Sequence, residues 1–292
     1  MGIQERLKDY WERCLKGEGL ERRTPSWVLL KMQCHEKRGA RVVRVTAEGA
    51  PYRSLRLNNG EQQIDYALYV TFFIQQGDHY YIEEEQRDHR AIFKGNELLK
   101  DEALPVPKEE APPREALTLI NEEGTLWRED TRSTYDRQKA VQYANLWWNT
   151  HNPAYRHFTD DCTNFISQCL KAGGAPMWGS PHRGKGWWYN YKVWSYSWTV
   201  ANAMRWYLSG AKQGVKGREV ERASDLILGD IICYDFEGDG RWNHTTIVVG
   251  KDAFGEPLVN AHTSNSYHRY WDYEDSTAYT PNIQYKFFRI GE

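Results

Sequence analysis

Asp160-Asp161-Cys162-Thr163-Asn164-Phe165-Ile166-Ser167-Gln168-Cys169-Leu170-Lys171-Ala172-Gly173-Gly174 is the stretch on which the reading of the chain turns. Cys162, Phe165, Ile166, Cys169 and Leu170 recur at helical spacing, two aspartates stand where a cap belongs, and Gly173-Gly174 marks the stop. Cys162 therefore falls in the first turn of an amphipathic helix, where free backbone N–H groups favour a thiolate. Charge from Asp160 and Asp161 works against this unless both carboxylates point away as caps. Cys169, mid-helix, and Cys233, within Leu228-Gly229-Asp230-Ile231-Ile232-Cys233-Tyr234, read as small buried hydrophobes, the usual role of a free cysteine.

A thiol nucleophile needs a base, and the base needs a polar group to orient it. Downstream, Asn243-His244-Thr245-Thr246-Ile247-Val248-Val249-Gly250 alternates as a strand. Asp252 to Gly255 supply turn residues, and Leu258-Val259-Asn260-Ala261-His262-Thr263 read as the returning strand. A turn centred near 253 sets His244 beside His262 on one face, with Asn260 as the alternative orienter two residues earlier. A bulge or a one-residue change of register would alter that choice. Cys162, His244 and His262 are thus the candidate catalytic set.

Asn152-Pro153-Ala154-Tyr155, Phe158 and the DCTNFISQ, LILGDIICYD, NHTTIVVG and VNAHTSN runs together resemble the putative amidase domain of Bacillus-type bacteria, over roughly residues 130–292. That family is related to the NlpC and CHAP cell-wall amidases of the papain-like superfamily. The resemblance implies an α+β, papain-like domain in which a helix-borne cysteine packs on an antiparallel sheet and attacks an amide carbonyl. It gives the nucleophile to Cys162, the base to His244, and the orienting third position, which varies among His, Asn and Glu in relatives, to His262. The reaction expected is acyl transfer through a thioester that water resolves. Backbone N–H groups at the helix start, with Tyr155 as a candidate side-chain donor, are expected to hold the oxyanion. The implied substrate is peptidoglycan or another peptide amide, with no cofactor. Two other readings stay open: a non-catalytic wall- or protein-binding module on the same fold, and an acyltransferase or deamidase using the same thioester.

With 292 residues, 40% hydrophobic content and a net charge of −2, the chain has length for two domains and no electrostatic footprint for nucleic acid. No run reaches the roughly 18 apolar residues of a membrane span, and Met1-Gly2-Ile3-Gln4-Glu5-Arg6 lacks an apolar signal core. Five cysteines without framework spacing indicate free thiols in a reducing compartment. Because wall-cutting relatives are usually exported, the expectation is a cytoplasmic or spore-associated protein that either acts inside a cell or spore or reaches the wall by lysis or an unusual route.

A charged, proline-rich linker is expected at 101–114, separating a domain at 1–100 from one at 115–292. In the first, Ile3, Leu7, Tyr10, Trp11, Cys14 and Leu15 mark one amphipathic helix. Strand-like runs at 41–47, 65–75, 79–84 and 90–93 suggest an antiparallel meander, turning at Gln76-Gly77-Asp78. One helix on a meander is a small α+β fold without a catalytic constellation, for which docking or self-assembly is the expected role. In the second domain, Tyr135 to Trp148 read as a helix packed beside the Cys162 helix.

The 178–207 stretch holds six of the 13 tryptophans. Trp187 and Trp188 are candidate substrate-groove residues, set against a loop that packs its own aromatics. No metal is expected. Asp235-Phe236-Glu237-Gly238-Asp239-Gly240 begins like a calcium loop but reaches Thr246 where a bidentate Glu is required. His244, His262, Cys162 and His268 include no zinc-ligand pair of short spacing.

Overall fold

Leu7, Trp11 and Cys14 form the buried face of α1 (Ile3–Lys16) in a computed structural model that describes residues 2–16, 25–105 and 135–291. A second helix, α2 (Ser26–Lys37), follows; it was not expected, because its buried positions include Lys31 and His35 as well as Val28 and Cys34. Four strands then run as an antiparallel meander: β1 (Ala40–Arg56), β2 (Glu61–Gln76), β3 (His79–Lys94) and β4 (Glu97–Ala103). The β2–β3 turn falls at Gly77-Asp78, where Gly77 takes φ 59°, a conformation that favours glycine. The first unit is therefore two helices with a four-stranded meander, and not one helix.

The sequence pattern breaks β3 at its charged middle, but the strand runs through because its inward charges have partners. Lys31 Nζ pairs with Glu83, Glu85 and Asp275, the last at 2.6 Å, and His35 Nε2 lies 3.2 Å from Glu83. Burial alone would raise the Glu83 carboxyl, yet Lys31 and His35 bring it below its ordinary value. Farther along, Trp11 Nε1 donates to Tyr66 Oη at 2.8 Å, Tyr66 donates to Asp101, and His89 Nδ1 meets the same carboxylate at 2.8 Å. The expected linker at 101–114 begins inside β4; its residues from 106 on lie outside the described residues, as do 115–134.

The second unit carries α3 (Arg137–Trp147), α4 (Cys162–Ala172), the short strands β5 (Tyr189–Asn190) and β6 (Val193–Trp194), α5 (Tyr196–Thr199) and α6 (Ala201–Gly210). These are followed by β7 (Gly217–Val220), β8 (Ile231–Asp235), β9 (His244–Lys251), β10 (Pro257–Ala261), β11 (Ser266–Tyr270) and β12 (Gln284–Ile290). Ser266 and Tyr267 of β11 belong to the first unit, where they pair with Glu85 and Glu84. Antiparallel pairing in the second unit runs in the order β10-β9-β8-β12-β7.

Side chains alternate across this sheet as the strand period requires. Ile231, Cys233, Ile247, Val249 and Phe288 share a core with Phe165, Ile166, Cys169 and Leu170 of α4. Ile232, Tyr234, Val248, Val259 and Phe287 form a separate core with Tyr273 on the other face. The helical stripe read from the sequence is buried here, as are all residues of α4 from Cys162 to Leu170. The protein is thus a mixed α/β structure built on antiparallel sheet with few helices. Among the described residues no helix is long and apolar enough to cross a membrane.

Candidate active site

The start of α4 is capped from a distant strand end. Asp161 N and Cys162 N both donate to Thr263 Oγ1 at 3.1 Å, and that hydroxyl donates to Asp160 Oδ1 at 3.0 Å. The Cys162 thiol donates to the same Asp160 oxygen at 3.5 Å. Asp161, the residue in the cap position, makes no side-chain cap of its own. Thr263 holds φ 76°, a left-handed backbone that is costly for a β-branched residue.

Burial, and then the charge of Asp160, push the Cys162 thiol well above its ordinary range. Hydrogen bonds from Thr163 and Thr245 act in the opposite direction and do not prevail. The thiolate expected from the helix terminus is therefore corrected to a resting thiol. The terminal N–H groups are engaged by the Thr263 oxygen, and the side chain is only 2% exposed.

His244 opens β9 on the face opposite to Thr245. Its ring lies among Tyr234, Phe236 and Tyr273, and Nε2 meets Tyr273 Oη at 3.0 Å. Nδ1 makes no hydrogen bond among the described residues. Burial, and secondarily the charge of Arg269, push His244 down to about 3, so the ring is neutral at pH 7. The thiol and imidazole are not hydrogen-bonded to each other. Thr245, next in the chain to His244, is the residue whose groups reach the thiol, and its hydroxyl also meets Thr163 Oγ1 at 3.1 Å.

The expected pairing of His244 with His262 is not formed, and the cause is a bulge. Leu258 faces Gly250, but the register shifts before Val259 so that Asn260 faces Ile247. Carried forward, this sets position 262 opposite 245, which turns the two histidines to opposite faces of the sheet. His262 stacks on Phe165 with ring centroids 3.9 Å apart, donates from Nε2 to the Trp147 carbonyl at 2.7 Å, and meets Asp161 Oδ2 through Nδ1 at 2.9 Å. Asn260 is not an orienter either: its amide donates to Ala144 O and Asn145 Oδ1, and its oxygen accepts from His268 N.

Trp187 and Trp188 do not line a groove. They are 0% and 2% exposed, and Trp187 packs on Trp198 at 4.8 Å. The Trp187 indole N–H donates to Ser167 Oγ, and that of Trp188 to the His182 and Lys185 carbonyls. Tyr155 lies half-buried, its ring 5.3 Å from Tyr189 and 6.2 Å from Trp198, an aromatic packing position. The Asp235 carboxylate closes its own turn on Gly238 N, Asp239 N and Gly240 N.

Three residues enter that the sequence did not single out in these roles. Thr263 caps α4, Tyr273 contacts His244, and His151 joins Asp161 beside His262 at 3.5 Å. The signals were faint: Thr263 directly follows His262, and His151 and His157 stand just before the cysteine motif. Tyr273 had none, since it lies well beyond the returning strand.

Residues 134–288 match the family described as "Putative amidase domain". The Bacillus subtilis (strain 168) protein named "Uncharacterized protein YhbB" is 47% identical over 264 residues, which is 89% of this chain and 84% of that protein. "Uncharacterized protein YjcM" of the same organism is 29% identical over 178 residues, 58% of this chain and 41% of that protein. No solved structure matches the chain. The family match spans both the helix that begins at Cys162 and the strand that begins at His244, and with the long relative it establishes that the chain belongs to the putative amidase domain family, whose description points to hydrolysis of amide bonds.

Proposed function

We propose that the chain is a cysteine-type amide hydrolase with Cys162 as nucleophile and His244 as base. The observation that carries this reading is the start of α4. Two backbone N–H groups, those of Asp161 and Cys162, converge there on one oxygen beside a thiol tied to the strand that His244 opens. Two such donors suit the oxyanion of a tetrahedral intermediate, and Thr263 Oγ1 marks the place a substrate oxygen would take.

Both partners rest neutral, and the His244 ring lies on the side of β9 opposite to the Thr245 that meets the thiol. The imidazole must therefore swing to the thiol when substrate binds and take its proton as the carbonyl is attacked, without a preformed ion pair. When Tyr273 accepts from Nε2–H, the Nδ1 lone pair is the one that receives the proton. Tyr273 thereby replaces His262 as the group that orients the base. The imidazolium returns its proton to the leaving amine, and water attacks the thioester to release the acid.

Peptides of the cell wall are the substrate class we favour. The support is the match of the cysteine and histidine segments to the putative amidase domain family, together with the kinship with NlpC and CHAP amidases that the sequence resemblance implies. Full-length protein incubated with peptidoglycan and with synthetic stem peptides should release new amino and carboxyl groups, read by mass spectrometry. Cys162→Ala should retain the circular dichroism of the parent and release none. Turnover by that variant would eliminate the cysteine mechanism. Cleavage of simple amides with wall peptides left intact would eliminate the substrate class, and a product carrying an added amine would indicate an acyltransferase.

A further inference from the structure

Two imidazoles at the start of α4 converge on one carboxylate oxygen. Asp161 Oδ2 lies 2.9 Å from His262 Nδ1 and 3.5 Å from His151 Nδ1, and the three atoms are all within 4.8 Å of one another. The second carboxylate oxygen is engaged elsewhere, accepting from Phe158 N at 3.1 Å and Asn164 Nδ2 at 2.9 Å. His262 is held in place by its stacking on Phe165 and by the Trp147 carbonyl.

A neutral ring that donates from Nε2 turns its Nδ1 lone pair toward the carboxylate, acceptor against acceptor. A proton on each Nδ1 would let both rings donate to that oxygen, which has two lone pairs, and a cation placed there would instead take the oxygen and both Nδ1 lone pairs as ligands. One divalent cation satisfies all three atoms together. We propose that His151, Asp161 and His262 form a binding site for a divalent transition metal of the zinc type.

The donor set supports that class. Two imidazole nitrogens with one carboxylate oxygen suit zinc, whereas calcium and magnesium take oxygen ligands. Zinc–ligand bonds of about 2.0–2.1 Å set tetrahedral donors about 3.3 Å apart. The 3.5 Å separation fits this, and the 2.9 Å one needs to open by a few tenths of an ångström. The Trp147 carbonyl on the remote N–H of His262 is the outer partner that ligating histidines characteristically have. The His151 side chain, 43% exposed, is the entry side and leaves a fourth position for water. His157, with its ring centroid 3.8 Å from that of His151, stands beside this opening. The site uses neither Cys162 nor His244, but it shares Asp161, whose backbone N–H is one of the two proposed oxyanion donors, and metal binding is read without amidase activity.

The test takes the full-length chain, stripped with a chelator, and titrates it with Zn²⁺ by calorimetry and with Co²⁺ by visible absorption. One Zn²⁺ per chain is expected, with a rise in Tm and a Co²⁺ spectrum free of thiolate charge transfer. His151→Ala removes an exposed side chain. It should weaken Zn²⁺ binding by more than the roughly 10–100-fold that outer-shell changes cause, as should Asp161→Asn. Cys162→Ala and His182→Ala should bind as the parent does. Failure of the parent chain to bind stoichiometric Zn²⁺ overturns the proposal. So does unchanged affinity in His151→Ala, or a thiolate band that disappears in Cys162→Ala.

Discussion

Two buried clusters, one in each unit, treat ionisable groups in opposite ways. In the first, Glu83, Glu85 and Asp275 surround Lys31, a cation supplied by the chain itself, and Glu83 is held ionised. In the second, burial keeps the thiol of Cys162 and the imidazole of His244 in their neutral forms, and Asp161 faces two imidazoles. A charge compensated inside the fold is architecture and has nothing left to offer a ligand. Groups kept neutral by desolvation retain a proton to give and a lone pair to take, which is what acid–base chemistry requires.

The most damaging way to break this contrast is Lys31→Met. It leaves three carboxylates buried without their cation, and removal of one partner from a buried ionic cluster costs about 3–5 kcal/mol. Chemical denaturation should show a loss of that order. Neutralising the acids as well, by Glu83→Gln, Glu85→Gln and Asp275→Asn in the Lys31→Met background, should recover much of it. A Lys31→Met protein as stable as the parent would mean that the cluster is not organised by Lys31.

Acid tests the second unit. Below about pH 6.5 an unfolded chain protonates His244, while the native chain resists until about pH 3. The unfolded state therefore binds the extra proton in this window, so the contribution is fully present above it and is lost as pH falls through it, by about 1.4 kcal/mol per unit. Carboxylates such as Glu83 add their own acid sensitivity, so the useful quantity is the difference from His244→Phe. The variant should lose the slope between pH 6.5 and 3, and an unchanged slope would mean that His244 is not kept neutral by the fold.

How far the sequence reveals these regions depends on whether apolar spacing carries the information. The α4 stripe is apolar at helical period, so the helix and the place of Cys162 in its first turn could be read directly. The inward face of α2 carries Lys31 and His35, and the middle of β3 buries Glu83, Glu85 and His89, so polarity concealed one helix and split one strand. Strand and turn were readable around His244, but the bulge before Val259 lies in no residue type, and it decides which face His262 takes. Tryptophan density near residue 187 marked an aromatic cluster without telling core from groove.

Tyr273→Phe sharpens the role assigned to His244. It removes the hydroxyl at Nε2 while the ring stays, so stability should fall by only about 1 kcal/mol. If Tyr273 positions the base, kcat should drop on the order of tenfold with KM nearly unchanged, and the acid limb of the pH–rate profile should move. A purely structural role would lower the melting temperature and leave that profile in place.

The smallest expected effect returns to the contrast between the clusters. His151 is exposed and, among the described residues, makes its polar contact with Asp161, so His151→Ala in metal-free protein should alter stability by no more than about 0.5 kcal/mol. Asp161 then keeps its bonds from His262, Phe158 and Asn164, and these carry most of the local order. Lys31, in the first unit, is the one ammonium shared by Glu83, Glu85 and Asp275, so its loss withdraws a charge from all three at once even though His35 still meets Glu83 and Arg87 still meets Glu85. The ratio of the two losses, measured by denaturation under the same buffer, is therefore the compact test of the difference between the units. A cost for His151→Ala approaching that of Lys31→Met would make His151 part of the architecture and not a side chain held at its edge.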